Sequence, residues 1–185
     1  QTVLRGMGET HLSITIEKLA RKFGVAVETE DVKVPYRETI TSSAEAEGKI
    51  KKQTGGHGQF AVAWLRVEPQ ERGGGVEFVD QIVGGVLPQG SRPAVDTGVQ
   101  ETMAHGVLAG APVQGVRVRL VDGSYHNVDS SELAFKVAGS MAFKSAYEKA
   151  HPTLLEPIME LEVTVPDEAV GAVNGDLNSR RGRLQ

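Results

Sequence analysis

Residues 133–150, "LAFKVAGSMAFKSAYEKA", constrain this chain more than any other stretch. The run reads as one helix. Leu133, Phe135, Val137, Met141 and Phe143, with alanine at many of the remaining sites, make it apolar around most of its circumference. A helix that is hydrophobic on nearly every side belongs in an interior, so this should be the best-buried helix of the molecule. Asp129 is placed as its N-cap, and Glu132 three positions on completes a capping-box-like pair. His151-Pro152 ends it, because the residue before a proline is pushed out of helical geometry.

The segments upstream read mostly as strands. "VQGVRVRLVDG" alternates cleanly, with Val116, Val118 and Leu120 facing in and Arg117 and Arg119 facing out. "QFAVAWLRVEPQ" alternates from Gln59, with Phe60, Val62 and Trp64 on one face and Ala61, Ala63 and Leu65 on the other. Both faces start apolar, which predicts a largely covered strand that becomes exposed at Arg66 and Glu68. "ERGGG" is a turn, and "VEFVDQIVGG" is a second strand carrying Val76 and Phe78. Ser91 suits an N-cap with Pro93 in the first turn. Val95, Val99, Met103 and Leu108 then form a helix stripe interrupted by Gly106. The stretch "ITSSAEAEGKIKKQTGGHGQ" is small, polar and charged, and reads as a linker running into a loop.

The two ends read as incomplete modules. Thr2, Val3 and Leu4 look like the end of a strand; Leu12, Ile16, Leu19 and Phe23 recur at helical spacing; Val25 to Val34 resumes extended structure. At the other end "EPIMELEVTVP" alternates as a strand, and Asp167 caps a short helix with Val170, Val173 and Leu177. Neither strand-and-helix set can cover its own helix stripe. Both stripes are expected to pack on each other, on the middle domain or on a neighbouring molecule.

Bulk properties exclude several classes. The formal charge of −4 gives no global attraction to nucleic acid, so any RNA contact must rest on a local patch. No cysteine is present, which removes disulfides and thiolate chemistry and fits a reducing compartment. No apolar run approaches the roughly 18 residues of a membrane span, and the N-terminus lacks a signal pattern. A cytosolic protein that does not enter membranes is the expectation. Gly48-Lys49 is followed by Ile50, with Ser43 five residues before Gly48 where the phosphate-cradling loop needs glycine, so no nucleotide triphosphate site is visible. The histidines at 11, 57, 105, 126 and 151 lie apart, without a zinc-type spacing, and no metal site is expected. Ser124, His126 and Asp129 could be assembled into a hydrolytic set, but no nucleophile elbow accompanies them, so no catalytic residue is assigned.

Two loops remain. "KIKKQTGGHGQ" carries Lys49, Lys51, Lys52 and His57 without an acid, and its glycines let backbone N–H groups approach a partner. Such a loop suits phosphate oxygens, although a solvated glycine-rich hairpin loop has the same composition. "DGSYHNVDSSE" places Tyr125 and His126 on a polar turn where no core explains them, and either ring can stack on a base. If the sheet brings both loops to one end, Lys51, Lys52, Gln53, His57, Tyr125 and His126 form a single tip.

A series of stretches in order, "GMGETHLSITIEKLARKFGVAV", "KIKKQTGGHGQF", "EFVDQIVGGVLP", "GVLAGAPV", "DGSYHNVDSSELAFKVAGSMAFK", "LLEPIMELEVTVP" and "GDLNSRRGR", resembles bacterial translation elongation factor G and its paralogues. The resemblance implies an α+β and α/β chain. Its centre, residues 37–155, would be domain IV, a ribosomal-protein-S5-type α/β sandwich. Residues 1–36 would be the second half of domain III and residues 156–185 the start of domain V, both partial ferredoxin-like split βαβ modules. It implies a ribosomal translocase whose domain IV tip contacts tRNA and mRNA in the small-subunit decoding region. The contacting residues would be Lys51, Lys52, Gln53, Thr54, Gly55, Gly56, His57, Gly58 and Gln59 in one loop, and Gly123, Ser124, Tyr125, His126 and Asn127 in the other. His126 stands at the position of the modified histidine, diphthamide, of eukaryotic elongation factor two. GTP and magnesium would bind an upstream domain of the parent protein and not this chain.

The sequence departs from the common pattern at "GGHGQFA", with His57 for arginine and Ala61 for glycine, at Asn127 where an acid is usual, and in "LPQGSRPAVDTG". Neutral His57 cannot replace the fixed charge of a guanidinium. These departures resemble the elongation-factor-G-like paralogue, which leaves roles in ribosome recycling or protection open beside translocation. A non-catalytic protein-interaction module is the reading from another class.

Overall fold

The computed structural model describes residues 2–53, 58–71 and 73–185. In chain order the elements are α1 (Glu9–Phe23), β1 (Arg37–Ile40), β2 (Ala44–Lys52), β3 (Gln59–Pro69), β4 (Val76–Asp80), a 3-10 turn (Gln89–Ser91), α2 (Arg92–His105), β5 (Val116–Ser124), α3 (Glu132–Lys149), β6 (Pro152–Leu155) and α4 (Asp167–Ser179). The result is a mixed α/β chain whose middle is a two-layer sandwich. A four-stranded sheet in the order β2-β3-β5-β4 forms one layer and α2 and α3 the other. All pairings are antiparallel except β4 with β5, which are parallel and joined through α2. A separate two-stranded pair, β1 with β6, brings the two ends of the middle region together.

Alternation decides which sheet face is inside. Ala61, Ala63, Leu65 and Val67 of β3 and Val116, Val118 and Leu120 of β5 point toward the helices and are buried. Phe60, Trp64 and Arg66 lie on the other face of β3. The helix α3 covers this core with one broad half: Ala134, Phe135, Ala138, Gly139, Ala142, Phe143, Ala146 and Tyr147 are buried. It is the best-buried helix, but not on all sides, since Leu133 is 60% exposed and Met141 45%. The small residues of that half have a steric purpose. A Cβ built on Gly48 of β2 would lie 2.0 Å from the Ala138 carbonyl oxygen, and one on Gly98 of α2 would lie 2.0 Å from the Lys136 carbonyl oxygen. Both the sheet and α2 approach α3 at backbone contact, which only glycine permits.

Several expectations need correcting. The presumed linker contains β2, whose buried positions Ala46 and Gly48 are too small to give a hydrophobic signal. The N-cap of α3 is Ser131, whose hydroxyl accepts the Ala134 N–H, and not Asp129. Leu108 lies beyond α2, which ends at His105 with Gly106 as its cap, and is exposed. The N-terminal position of α4 outside the helix is Pro166, with Asp167 inside as its first residue. The strands expected at 2–4, 25–34 and 156–165 are not formed, and neither α1 nor α4 holds a buried residue. Leu12, Ile16, Leu19, Val173 and Leu177 are half-covered, while Phe23 and Val170 are exposed. Among the described residues neither stripe is buried against the other or against the sandwich, which leaves a neighbouring molecule of the three expected partners. Strand propensity without a partner strand cannot build the sheet that would cover a helix stripe. Among the described residues no helix is long and apolar enough to cross a membrane.

Candidate nucleic-acid interface

The β2–β3 connection and the β5–α3 connection leave the sheet at the same end. Lys52 pairs with Gln59 at the last rung of one hairpin, and Ser124 pairs with Val62 close by on the other side of β3. Beyond the strands the two connections are joined by side chains. The Gly58 N–H donates to Asp129 Oδ1 at 3.0 Å, and the Phe60 N–H donates to the Asp129 carbonyl at 2.9 Å. The Ser130 hydroxyl donates to the Phe60 carbonyl at 2.7 Å and its oxygen accepts the His126 N–H at 2.8 Å. The Phe60 and His126 rings sit edge to face, 6.4 Å between centroids. Asp129 thus ties Gly58 and Phe60, at the start of β3, to the β5–α3 connection, so its long-range role replaces the local cap expected of it. A Cβ on Gly58 would lie 3.0–3.2 Å from the Asp129 carboxyl group, so the clasp needs a small residue there.

This clasp also orients His126. The Val128 and Asp129 N–H groups both point at its Nδ1, each at 3.3 Å. Two N–H donors thus converge on Nδ1, the arrangement that suits a ring with its hydrogen on Nε2. Asp129 Oδ2 is also 3.3 Å from Nδ1, so a proton added to the ring at that atom meets a carboxylate. Tyr125 is 41% exposed, and His126 and Asn127 are exposed beside it.

The lysines are on strand and not on loop. Lys49 and Lys51 share the sheet face turned away from the helices, and Lys52 falls on the opposite face. Among the described residues none of the three takes part in an ion pair. Gln53 follows them, exposed. Thr54, Gly55, Gly56 and His57 lie outside the described residues. The remaining predicted positions, Gly58, Gln59, Gly123, Ser124, Tyr125, His126 and Asn127, are gathered at this one end of the sheet. Among the described residues no group of three or more His, Asp or Glu side chains is placed to hold a metal ion.

At the other end of β3, about 33 Å away at 3.3 Å per residue, lies a group that sequence reasoning missed. Glu38 is fully buried, and among the described residues no cation pairs with it. Its Oε2 accepts the Val107 and Leu108 N–H groups at 2.8 and 2.9 Å, and its Oε1 accepts those of Ala109 and Ala111 at 2.7 and 3.0 Å. Burial pushes its titration upward, but the four N–H donors outweigh burial and hold the carboxyl below its ordinary value. Burial, with the Glu38 charge added, pushes the Tyr147 phenol far up. Tyr147 donates to the Thr39 carbonyl at 3.2 Å. Glu38 secures the segment after α2 to β1 at the end where β1 and β6 meet.

Three family models match the chain: "Elongation factor G, domain IV" over residues 32–151, "Elongation Factor G, domain III" over residues 1–31 and "Elongation factor G C-terminus" over residues 153–185. A solved structure of a Thermus thermophilus protein is 50% identical to the chain, with a TM-score of 0.83. The match covers 97% of this chain and 27% of that one, so the chain spans roughly a quarter of the protein it resembles.

Proposed function

The chain belongs to the elongation factor G family, and on that premise we propose that its clasped loops are the RNA-contacting tip of a ribosomal translocase arm. In this reading residues 37–155 are the arm, acting in the cytoplasm within a longer GTPase. The partners are tRNA and mRNA in the decoding region of small-subunit RNA. Lys51 and Lys52 neutralise phosphates, and Gln53 to Gln59 offer backbone donors. Tyr125 stacks, His126 donates from Nε2, and Asn127 hydrogen-bonds beside them. The tip acts by bulk and hydrogen bonding and makes no covalent bond. The chain has no phosphate-cradling motif, so GTP and magnesium are assigned to the parent's nucleotide domain and no step is routed through them.

One observation carries the reading. Two connectors 71 residues apart, one following three lysines that form no ion pair among the described residues and one presenting a tyrosine and a histidine, are joined by the Gly58–Asp129 bond. The test is ribosome-dependent translocation by the full-length parent carrying His126→Ala or Lys51→Ala with Lys52→Ala. Slower translocation supports the assignment, and unchanged rates contradict it.

A second reading keeps the ribosome but changes the task. His57, Ala61 and Asn127 stand where the common family pattern has arginine, glycine and an acid, which favours a paralogue acting in ribosome recycling or protection. Complementation of cells lacking the main factor separates the two. For a module that binds only protein, affinity for small-subunit RNA would be absent. Both RNA readings require an affinity that falls as salt rises.

A further inference from the structure

The sheet face turned away from α2 and α3 carries a feature that the tip does not use. Register places Glu47 of β2, Trp64 of β3 and Asp122 of β5 side by side across that face. Trp64 is 38% exposed, and both carboxylate residues are exposed. On the rows toward the opposite end, acids and bases neutralise each other: Arg66 with Glu45, Arg119 with Glu68 at 2.9 Å and Arg117 with Glu77 at 2.6 Å. On the row toward the tip stand Lys49, Val62 and Ser124. Among the described residues no cation pairs with Glu47 or Asp122. Asp122 uses one oxygen, Oδ1, to accept the Gly123 N–H at 2.8 Å. The row is therefore an accessible indole with an uncompensated carboxylate on each side.

We propose that this row is a docking point for an arginine side chain on a segment of a partner protein. A guanidinium is planar and weakly hydrated, so it stacks on an indole face while its N–H fork reaches a carboxylate. An ammonium makes the same charge contact without the planar stacking or the fork. Nucleic acid is disfavoured, because its phosphates would meet two carboxylates of like sign. The arm then has two chemically distinct surfaces, a cationic and aromatic tip and an anionic aromatic row lower on the sheet.

Trp64 is the single tryptophan of the chain, so its fluorescence reports this site alone. The 185-residue chain is titrated with a Gly-Arg-Gly-Arg-Gly peptide, its lysine counterpart and a short single-stranded oligonucleotide. A saturable emission change with the arginine peptide is expected, with the lysine peptide binding several-fold more weakly. The exposed double variant Glu47→Gln with Asp122→Asn should weaken arginine-peptide binding about tenfold, as two modest surface contacts imply. A control removing two remote acids, Glu160→Gln with Glu162→Gln, should leave it unchanged. The proposal is overturned if no saturable change occurs up to about 1 mM peptide. It is equally overturned if both double variants behave alike, which would show attraction to net charge only, or if the oligonucleotide alone gives a saturable Trp64 emission change of the same size at lower concentration, which would put nucleic acid and not arginine on the row.

Discussion

Replacing Glu38 by glutamine keeps the shape of a buried side chain and removes its charge, so the cost can be worked bond by bond. Two oxygens now take four N–H donors at 2.7–3.0 Å. In the variant one oxygen remains, and an NH2 group faces the other two donors. Two buried N–H groups lose their acceptor, at about 1.5–3 kcal/mol each for bonds to a charged group. Relief from burying a carboxylate offsets part of that, which leaves a net destabilisation of about 3 kcal/mol. Urea unfolding of the chain followed by far-ultraviolet circular dichroism measures it. The pH dependence adds a second check. The folded carboxyl titrates below its ordinary value of 4.5, so the folded state binds this proton more weakly than the unfolded chain. Its contribution is then complete above about 4.5 and fades as pH falls through the folded-state value. The difference between parent and variant should hold steady from about pH 6 to 8 and shrink on acidification. A variant within about 0.5 kcal/mol of the parent, or a difference that grows as pH falls, would refute the reasoning.

Other perturbations have defined outcomes. Gly48→Ala forces a methyl group to within 2.0 Å of the Ala138 carbonyl and 2.4 Å of the Ala142 nitrogen; separating β2 from α3 should cost about 2–3 kcal/mol by the same unfolding measurement. Tyr147→Phe removes the bond to the Thr39 carbonyl and should cost about 1 kcal/mol. In the parent, Tyr147 should remain un-ionised in ultraviolet titration well past pH 10, because burial and the Glu38 charge oppose the phenolate. Asp129→Ala deletes the acceptor of the Gly58 N–H, and hydrogen exchange at that amide should quicken about five-fold with little change in global stability.

What can be read from the residues, and what cannot, has a physical pattern. β3 and β5 are legible because large apolar residues alternate along them, and α3 because its apolar content exceeds what one exposed helix tolerates. β2 is hidden: Ala46 and Gly48 occupy its inward positions so that α3 can approach, and small residues leave no hydrophobic period. Strands at both ends are over-read, since alternation in "EPIMELEVTVP" signals a face that needs a sheet and the described residues provide none. Both candidate loops stand out by their composition, but the clasp does not. Asp129, Ser130, Ser131 and Glu132 offer two overlapping capping frames, and the choice between them is settled by Gly58, which no local pattern connects to Asp129. Glu38 gives no sign at all, because its partners are backbone N–H groups that every sequence contains.

The chain contains no cysteine, so single cysteines can be placed at Gln53 and at Tyr125 and coupled to an iron chelate that cleaves nearby RNA. With the full-length parent bound to ribosomes, and any cysteines outside this chain replaced, probes at the two positions should cut overlapping nucleotides of small-subunit RNA. Cleavage at two unrelated places, or from one probe only, would contradict a joint tip.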